Sequence, residues 1–337
     1  MDHTLAHTRE LWEELRGQRL FLTGGTGFFG CWLLESFAWA NEKLKLGASV
    51  LVLTRDPASF QKKAPHLAAN PAIRFHRGDV RSFTFPAGYF SHVIHAATEA
   101  SAKLNAENPG LMFETIVEGT RHTLEFSHTA GAKKFLLTSS GAVYGPQPPE
   151  ITQIEEDYAE KLDPAVPTSA YGKGKFAAEK ICTDFGKQHE IEIKIARGFA
   201  FVGPHLPMDT HFAIGNFIND AMRGRTLRIH GDGTPYRSYL YAADLAIWLW
   251  TILFRAPAGR AYNVGSAQAL TIAELARKVE SVLGAHAGVT ILRPPTPGQP
   301  PARYVPSVKR AEAELGLRER VDLETAIKKT ASWLRQS

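Results

Sequence analysis

The sequence predicts an α/β fold built on a doubly wound parallel sheet. Short strands that are apolar on both faces alternate with helical segments, which is typical of a parallel sheet covered by helices on both sides. Three glycines spaced three residues apart, Gly24, Gly27 and Gly30, separate the first strand from the first long helix. Such a turn lets the backbone approach a pyrophosphate at the helix N-terminus. These observations together predict a Rossmann-type dinucleotide site.

The predicted elements follow one another in a regular order. A short lead-in helix over residues 8–17 comes first, and another helix follows the glycine turn. Six strands of the main sheet are predicted over residues 19–23, 49–53, 73–76, 92–95, 134–138 and 191–197. The remaining predictions are helices over 110–130, from 169 onward, and near 242–255, 271–283 and 322–335, with a short strand at 227–230.

Two domains are predicted from the points where this pattern changes. A proline-rich segment over residues 146–167 interrupts the chain, and the regular alternation ends after the sixth strand. We expect a dinucleotide-binding domain of residues 1–197 and 238–264. A smaller C-terminal substrate-binding lobe would comprise residues 198–237 and 265–337.

The composition argues against several classes of protein. With 44% hydrophobic and 22% charged residues, the chain is expected to be soluble and globular. Its most apolar stretch, residues 246–254, is about half a bilayer span and favours a buried helix over a membrane segment. The N-terminus has neither the basic nor the apolar region of an export signal, so we expect a cytoplasmic protein.

Charge, cysteine and histidine usage narrow the expected ligands. The net charge of +5 suits anionic ligands, but the basic residues are scattered, so nucleic-acid binding is not indicated. Cys31 and Cys182 fall inside predicted helices and suggest neither a disulfide framework nor a metal cluster. The 13 histidines lack the spacing of a zinc site, so no metal is expected.

The ends of the second and third strands bear on the choice of cofactor. An NAD-specific site usually offers Asp or Glu to the ribose at the end of the second strand, but this chain has Thr54 followed by Arg55. The Arg55 guanidinium would suit a 2′-phosphate and favours NADP(H); alternatively, Arg55 stacks on the adenine of NAD. Asp79, after the third strand, is expected to accept a hydrogen bond from the adenine amino group, unless it is a solvated loop residue.

A tyrosine and a lysine four residues apart predict the reactive centre. Tyr171 and Lys175 share one face of a helix, so the ammonium is expected to lower the pKa of the phenol toward the range of an acid/base catalyst. Ser140, at the end of the fifth strand, would donate a hydrogen bond to the same substrate oxygen. A tyrosine and a lysine at this spacing are common in proteins. The order of glycine turn, serine, tyrosine and lysine along the chain is what supports a catalytic role for them.

Several motifs along the chain resemble those of a known family. The motifs that carry the resemblance are residues 23–30, 95–97, 119–120, 139–145, 171–175, 203–204 and 231–237, with Asp244 and residues 261–265. On these motifs the chain, from about residue 20 to its C-terminus, resembles an extended short-chain dehydrogenase/reductase of the NAD(P)-dependent nucleotide-sugar epimerase/dehydratase group.

The resemblance implies a role for each site residue. Tyr171 would be the acid/base, Lys175 would hold the nicotinamide ribose, and Ser140 would orient the sugar oxygen. The expected cofactor contacts are Gly24, Thr26, Gly27, Phe28, Phe29, Gly30, Thr54, Arg55, Asp79, Val80, Ala96, Ala97, Thr98, Tyr171, Lys175 and Val202. The expected contacts of a nucleoside-diphosphate sugar are Ser140, Phe199, Asn216, Arg237 and Arg303, with the two arginines on the pyrophosphate.

Relatives in this group also pair as homodimers through a four-helix contact. The resemblance therefore implies a homodimer formed by helix 110–130 and the helix that carries Tyr171.

Departures from the family pattern restrict the chemistry. The dehydratases of the group carry an Asp-Glu pair where this chain has Gly141 and Ala142, and the uronic-acid decarboxylases carry Glu at the position of Ala142. Both reactions therefore lose support. Ile116 and Ala200 replace family asparagines, so a changed helix packing or water chain near Lys175 and a changed substrate contact are expected. Ser238, which replaces a frequent Asp, is a third departure.

Hydride chemistry at a sugar carbinol remains. The sequence favours an NDP-hexose 4-epimerase that acts through a transient 4-keto sugar, because this reaction needs no residue beyond Ser140, Tyr171 and Lys175. An NADPH-dependent NDP-4-keto-sugar reductase is the alternative. A non-catalytic NADP(H)-binding regulatory protein is a third hypothesis, against which the intact Ser-Tyr-Lys set argues.

Overall fold

A seven-stranded parallel sheet forms the centre of the protein. The structure, a computed structural model, describes residues 1–98, 102–161, 169–208, 212–285 and 287–336. The strands of this sheet are β1 Arg19–Thr23, β2 Ser49–Thr54, β3 Ile73–Arg77, β4 His92–His95, β5 Lys134–Ser140, β6 Glu192–Gly198 and β11 Ala261–Val264. Their order is β11-β6-β5-β4-β1-β2-β3, with every pair parallel. The predicted doubly wound sheet and its six strands are thus confirmed, and β11 adds a seventh.

Helices cover both faces of this sheet, which explains why its strands are apolar on both sides. The helices in the described residues are α1 Asp2–Thr8, α2 Phe28–Leu44, α3 Pro57–Lys63, α4 Pro65–Ala68, α5 Ala102–Glu107, α6 Pro109–Thr129, α7 Ala170–His189, α8 Ala213–Met222, α9 Ala242–Arg255, α10 Ile272–Leu283, α11 Lys309–Leu315 and α12 Leu323–Leu334. One apolar core lies between the sheet and α2, α9 and α11, and the other lies beneath α6 and α7.

The N-terminal segment differs from the predicted lead-in helix over residues 8–17. The α-helix ends at Thr8, and a 3-10 helix follows over Arg9–Leu15. The physical reason is packing: the tighter turn brings Trp12 fully under cover, with its ring centroid 4.6 Å from that of Trp250 on α9. An aromatic pair of this kind adds to the stabilisation from burial.

Helix α9 contains the most apolar stretch of the chain. Its residues from Ala242 to Phe254 are all buried, because the helix lies between the sheet, α2 and the N-terminal segment. The predicted buried helix is confirmed. In the part of the chain that the structure describes, no helix has the length and hydropathy needed to cross a bilayer.

The regular alternation ends after β6, as predicted. The remaining strands are β7 Phe201–Val202, β8 Leu227–Ile229, β9 Tyr236–Arg237, β10 Leu240–Tyr241, β12 Leu270–Thr271, β13 Val289–Ile291 and β14 Arg303–Tyr304. They form three small sheets, and α8, α10 and α12 pack around a further apolar cluster. The predicted proline-rich segment contains a 3-10 helix over Glu156–Lys161, and its residues 162–167 lie outside the described residues.

Candidate active site

The site lies at the carboxyl edge of the sheet, where β1 and β4 are neighbours. The strand order reverses between these two strands, and ligands of open α/β sheets bind in the crevice at such a point. Gly24 follows β1 with φ +72°, and a Cβ atom there would lie 2.4 Å from the backbone of Ala96 after β4. A glycine is therefore required where the two strand ends meet.

The first turn of α2 leaves its backbone amides open to a ligand. Gly27 is the N-cap, and in the described structure no side chain caps this helix. A Cβ at Gly30 would lie 2.3 Å from Gly25, so this glycine permits the predicted close packing of helix and turn. Free N-terminal amides together with the helix dipole suit a pyrophosphate. The glycine turn therefore fits the dinucleotide that the sequence predicts.

A cavity of about 920 Å³ opens beside this turn. The predicted site residues that line it are Gly24, Gly27, Phe28, Phe29, Ala96, Thr98, Ser140, Tyr171, Lys175, Phe199 and Arg237. Residues from the beginning and from the middle of the chain thus meet in one space. Its volume is in the range of ligand-binding clefts.

The N-terminus of α7 positions the tyrosine. Ser169 caps the helix by accepting a hydrogen bond from the Gly172 amide at 3.0 Å, and the Tyr171 amide donates to Asn105 Oδ1 at 3.0 Å. Ser140, at the end of β5, lines the same cavity and hydrogen bonds with the Tyr171 phenol. The predicted serine and tyrosine therefore lie within reach of one substrate oxygen.

Lys175 is buried below them, one helical turn from Tyr171. Its ammonium donates to Thr98 Oγ1 at 2.7 Å and to the Thr138 carbonyl at 2.8 Å. It lies 5.9 Å from the centroid of the Tyr171 ring. The lysine is therefore held by the ends of β4 and β5 as well as by its own helix.

The ionisation of this pair differs from the sequence prediction. Burial lowers the pKa of Lys175 to about 8, although Cys182 and Glu179 act in the opposite direction. Burial also raises the pKa of Tyr171 above its ordinary value, against the lowering effect of the Ser140 hydrogen bond. The predicted lowering of the tyrosine pKa is thus wrong for this structure, because desolvation of the phenol outweighs its polar contacts.

A second phenol, Tyr304, was not predicted. Its hydroxyl lies 3.4 Å from Ser140 Oγ, and its ring centroid lies 4.7 Å from that of Phe199. Burial raises the pKa of Tyr304, so its hydroxyl is protonated at neutral pH. The Ser140 hydroxyl therefore lies between two phenols. Tyr304 reaches the cavity on β14, which pairs with β9. The sequence prediction of Arg303 as a substrate contact pointed to this segment but not to the tyrosine beside it.

The departures from the family pattern have physical counterparts. A Cβ at Gly141 would lie 2.7 Å from the Phe199 ring, so this ring occupies the space of any side chain there. A Cβ at Gly174 of α7 would lie 3.0 Å from Ile116, so the Ile116 side chain packs directly against the helix that carries Lys175. Ala200 lines the cavity, and its methyl side chain offers no hydrogen bond to a ligand at the position of the family asparagine.

At the adenosine end, Thr54 is buried and closes β2. Asp79 is held by Arg81, whose Nε and Nη2 donate to its two carboxylate oxygens at 2.9 and 3.2 Å. The hydrogen bonds from Arg81 lower the pKa of Asp79, and the charge of Arg55 contributes in the same direction. The predicted adenine acceptor is therefore an ionised carboxylate.

A second cavity, of about 710 Å³, adjoins the first. Asn216 and Arg237 line it, together with Arg225 and Arg228, and Arg237 borders both cavities. The arrangement offers two linked spaces, one beside the reactive side chains and one lined by three arginines, of which Arg225 is paired with Asp220. A diphosphate ligand suits the guanidinium that lies between them.

Nine predicted site residues are not among those that line the two cavities: Thr26, Gly30, Thr54, Arg55, Asp79, Val80, Ala97, Val202 and Arg303. Val202 was expected to contact the cofactor, but it is fully buried in the apolar cluster around α8 and α12. Arg303 was expected to contact the pyrophosphate, but its guanidinium stacks at 4.1 Å on the Tyr236 ring. The pairing of β7 with β10 and of β14 with β9 sets these positions, and the two roles stay predictions.

Comparison with known proteins identifies the family. Residues 20–265 match the family described as NAD dependent epimerase/dehydratase family. The chain belongs to this family. The family resemblance on the sequence motifs is thereby confirmed, as are an enzyme of the extended short-chain dehydrogenase/reductase class and the use of NAD(P).

Relatives in the family have several activities. The chain is 30% identical to UDP-glucuronic acid decarboxylase 6 of Arabidopsis thaliana over 309 residues, which cover 92% of this chain and 86% of the relative. The dTDP-glucose 4,6-dehydratase of Streptomyces venezuelae, solved with NAD bound, is 25% identical with a TM-score of 0.80, over 95% of this chain and 97% of that one.

A third similar protein is the UDP-glucose 4-epimerase of Thermus thermophilus, solved with NAD. It is 26% identical with a TM-score of 0.77, over 95% of this chain and 99% of that one. The relatives thus include a decarboxylase, a dehydratase and an epimerase. Similarity places the chain among nucleotide-sugar enzymes but does not distinguish between these three reactions.

Proposed function

We propose that this enzyme is an NDP-hexose 4-epimerase. The observation that carries the proposal is the pairing of an intact Ser140, Tyr171 and Lys175 with an absence of any carboxyl group at positions 141 and 142. The Phe199 ring fills the space beside Gly141, so the acid of a dehydratase has no room there. A 4-epimerase needs only a group that moves the proton of the C4 oxygen and a hydride carrier.

The remaining site residues support a nucleoside-diphosphate sugar as substrate. Arg237 lies between the two cavities, where it would bind the diphosphate, and Asn216 would contact the same group. The sugar would then enter the larger cavity and the nucleoside the smaller one. We propose that this second half of the site belongs to a lobe of residues 198–237 and 265–337.

The chemistry assigned to this chain is proton transfer at one oxygen. The glycine turn and the first amides of α2 would hold the pyrophosphate of NAD(P), and Lys175 would hold its nicotinamide ribose. NAD(P), when bound, supplies a hydride acceptor and then a hydride donor at C4. Tyr171 takes the proton of the C4 hydroxyl and returns it after the 4-keto sugar has turned over, while Ser140 holds the oxygen. Because burial raises the pKa of Tyr171, only the deprotonated fraction of this phenol acts as the base.

The test is a screen of nucleotide hexoses with the purified protein. UDP-, GDP-, CDP- and dTDP-hexoses are first ranked by thermal stabilisation, since a ligand that binds the native state raises its melting temperature. The best ligands are then incubated without added cofactor, and products are identified by NMR. A C4 epimer supports the proposal. Release of carbon dioxide or of a 4-keto-6-deoxy sugar contradicts it.

An NADPH-dependent 4-keto-sugar reductase is the second candidate, favoured by Thr54 at the end of β2. A 2′-phosphate meets no repulsion from this side chain, and Arg55 follows it. Stoichiometric loss of absorbance from added NADPH with a 4-keto sugar would indicate reduction, whereas tightly bound cofactor and no NADPH requirement would indicate epimerisation. A non-catalytic NADP(H)-binding protein would give neither result.

Thr54→Asp is expected to weaken NADPH binding about tenfold or more while changing NADH binding less than about threefold. A carboxylate at this position repels the 2′-phosphate and accepts hydrogen bonds from the ribose hydroxyls of NADH. The measurement is fluorescence titration with each nucleotide. Thr54→Ser, which keeps the hydroxyl, serves as the control. Equal losses for both nucleotides would show that Thr54 does not face the ribose 2′ position.

We also propose a homodimer through α6 and α7. The exposed face of α6 carries Phe113 with 39% of its surface accessible, and its other exposed side chains include Glu114 and Glu125. The exposed side chains of α7 include Lys173 and Lys180. The acidic face of one helix complements the basic face of the other across a two-fold axis.

Phe113→Glu is therefore expected to raise the dimer dissociation constant at least about tenfold, since it replaces the large exposed apolar side chain of the proposed contact with a charge. Light scattering coupled to size-exclusion chromatography over a range of concentrations measures it. Leu292→Glu changes another exposed apolar side chain, which follows β13 and belongs to neither α6 nor α7, and should leave the assembly unchanged. A wild type that is monomeric at all concentrations contradicts the proposal.

A further inference from the structure

A buried ion pair lies directly beneath the reactive side chains. Glu179 of α7 and Arg197 of β6 are joined by three hydrogen bonds, from Nε at 3.0 and 3.2 Å and from Nη2 at 2.8 Å. Both side chains are less than a tenth exposed. Ser139, the neighbour of Ser140, donates its hydroxyl to Glu179 at 2.5 Å. The pair thus joins the helix of Tyr171 and Lys175 to the ends of β5 and β6.

The network continues into the segment that carries Tyr304. Arg197 also donates to the Tyr144 hydroxyl at 3.0 Å, and that hydroxyl donates to Asn263 Oδ1 at 2.6 Å. The Asn263 amide in turn donates to the carbonyl of Ser307 at 3.1 Å. One hydrogen-bonded network therefore connects the helix of Tyr171 and Lys175 with the segment that carries Tyr304.

Among the side chains that the structure describes, few charged groups surround the Lys175 ammonium. Its own helix contributes Tyr171, Cys182 and Glu179; burial raises the pKa of both the phenol and the thiol, so neither carries a charge at neutral pH. From β4, burial lowers the pKa of His95 to about 3, so its ring is neutral. From the ends of β4 and β5 come only neutral oxygens, those of Thr98 and Thr138.

Glu179 is consequently the anion whose charge acts on Lys175. The Arg197 cation on β6 is hydrogen bonded to that carboxylate and partly offsets its charge. We propose that the Glu179–Arg197 pair is a positioning element that sets the charge of the Lys175 ammonium and fixes Ser140 beside Tyr171. The proposal builds on the proposed function, since it takes the Ser-Tyr-Lys set as the reactive centre. Neither Glu179 nor Arg197 lines the cavity, so they act through the other side chains.

Changes at the two partners should have opposite effects. Glu179→Gln removes the anion and leaves the Arg197 cation, so the titration midpoint of Lys175 should fall by about 0.5 to 1 pH unit. Arg197→Gln leaves the carboxylate alone, so the midpoint should rise by a similar amount. The double variant carries neither charge, and its midpoint should lie between those of the single variants. Ser139→Ala removes a hydrogen bond without a charge and should leave the midpoint unchanged.

The titration is read by NMR from protein labelled with ¹³C at the lysine ε-carbon, between pH 6 and pH 10, with the Lys175 signal assigned from Lys175→Arg. This readout needs neither substrate nor turnover, so it stands apart from the epimerase proposal. Should a single variant fail to fold, the other single variant and the double variant still give the sign. Midpoints that coincide with the wild type, or that move in the same direction for both single variants, overturn the proposal.

Discussion

Tyr171→Phe is expected to lower kcat by about 10²–10⁴-fold, the range that a positioned general acid/base contributes. The change removes the oxygen that takes and returns the C4 proton, and it keeps the ring against α7. KM for the nucleotide sugar should change little, because the phenol is one contact among many. Steady-state rates on the substrate found in the screen measure both constants.

Tyr304→Phe is the matched control, because this second phenol lies at the same serine, 3.4 Å from its hydroxyl. It should keep most of kcat if Tyr171 alone moves the proton. The opposite pattern, full activity in Tyr171→Phe and loss in Tyr304→Phe, would transfer the acid/base role to Tyr304. Comparing the two variants therefore decides which phenol does the chemistry, whatever the identity of the sugar.

The sequence was sufficient for those site residues that belong to contiguous motifs. The glycine turn, Ser140, Tyr171 and Lys175 each follow a strand or begin a helix, so their place at the carboxyl edge follows from the topology of a parallel sheet. Tyr304 could not be found this way, because it reaches the cavity from a two-residue strand far along the chain. Thr98 was predicted near the cofactor, but its bond to Lys175 depends on side-chain geometry.

The same distinction applies to electrostatics and fold. A lysine one turn from a tyrosine predicts a lowered phenol pKa only if both groups remain solvated. In the structure, burial of Lys175 and Tyr171 reverses that expectation, and burial is a tertiary property. Likewise, the six predicted strands of the main sheet, which are apolar on both faces, were predicted correctly. The conformation of the N-terminal segment was not predicted, because it depends on the packing of Trp12 against Trp250 of α9.

Gly24→Ala is expected to destabilise the fold by about 2–4 kcal/mol, from backbone strain together with steric overlap. The residue has φ +72°, and the added Cβ would lie 2.4 Å from the carbonyl of Ala96, which is backbone and cannot rotate aside. The ends of β1 and β4 would have to separate. By the scaling of melting temperature with stability for a chain of this length, we expect a fall of about 3–6 °C in thermal unfolding.

Gly27→Ala separates this structural requirement from cofactor binding. Gly27 has φ −82°, and its added Cβ would meet only the Gly24 carbonyl, at an ordinary 3.4 Å. The variant should therefore unfold within about 2 °C of the wild type. Yet Gly27 lines the cavity at the free amides of α2, so a methyl group there should still weaken NAD(P)H binding, measured by nucleotide fluorescence. If Gly27→Ala binds the cofactor as the wild type does, the pyrophosphate does not lie against this turn.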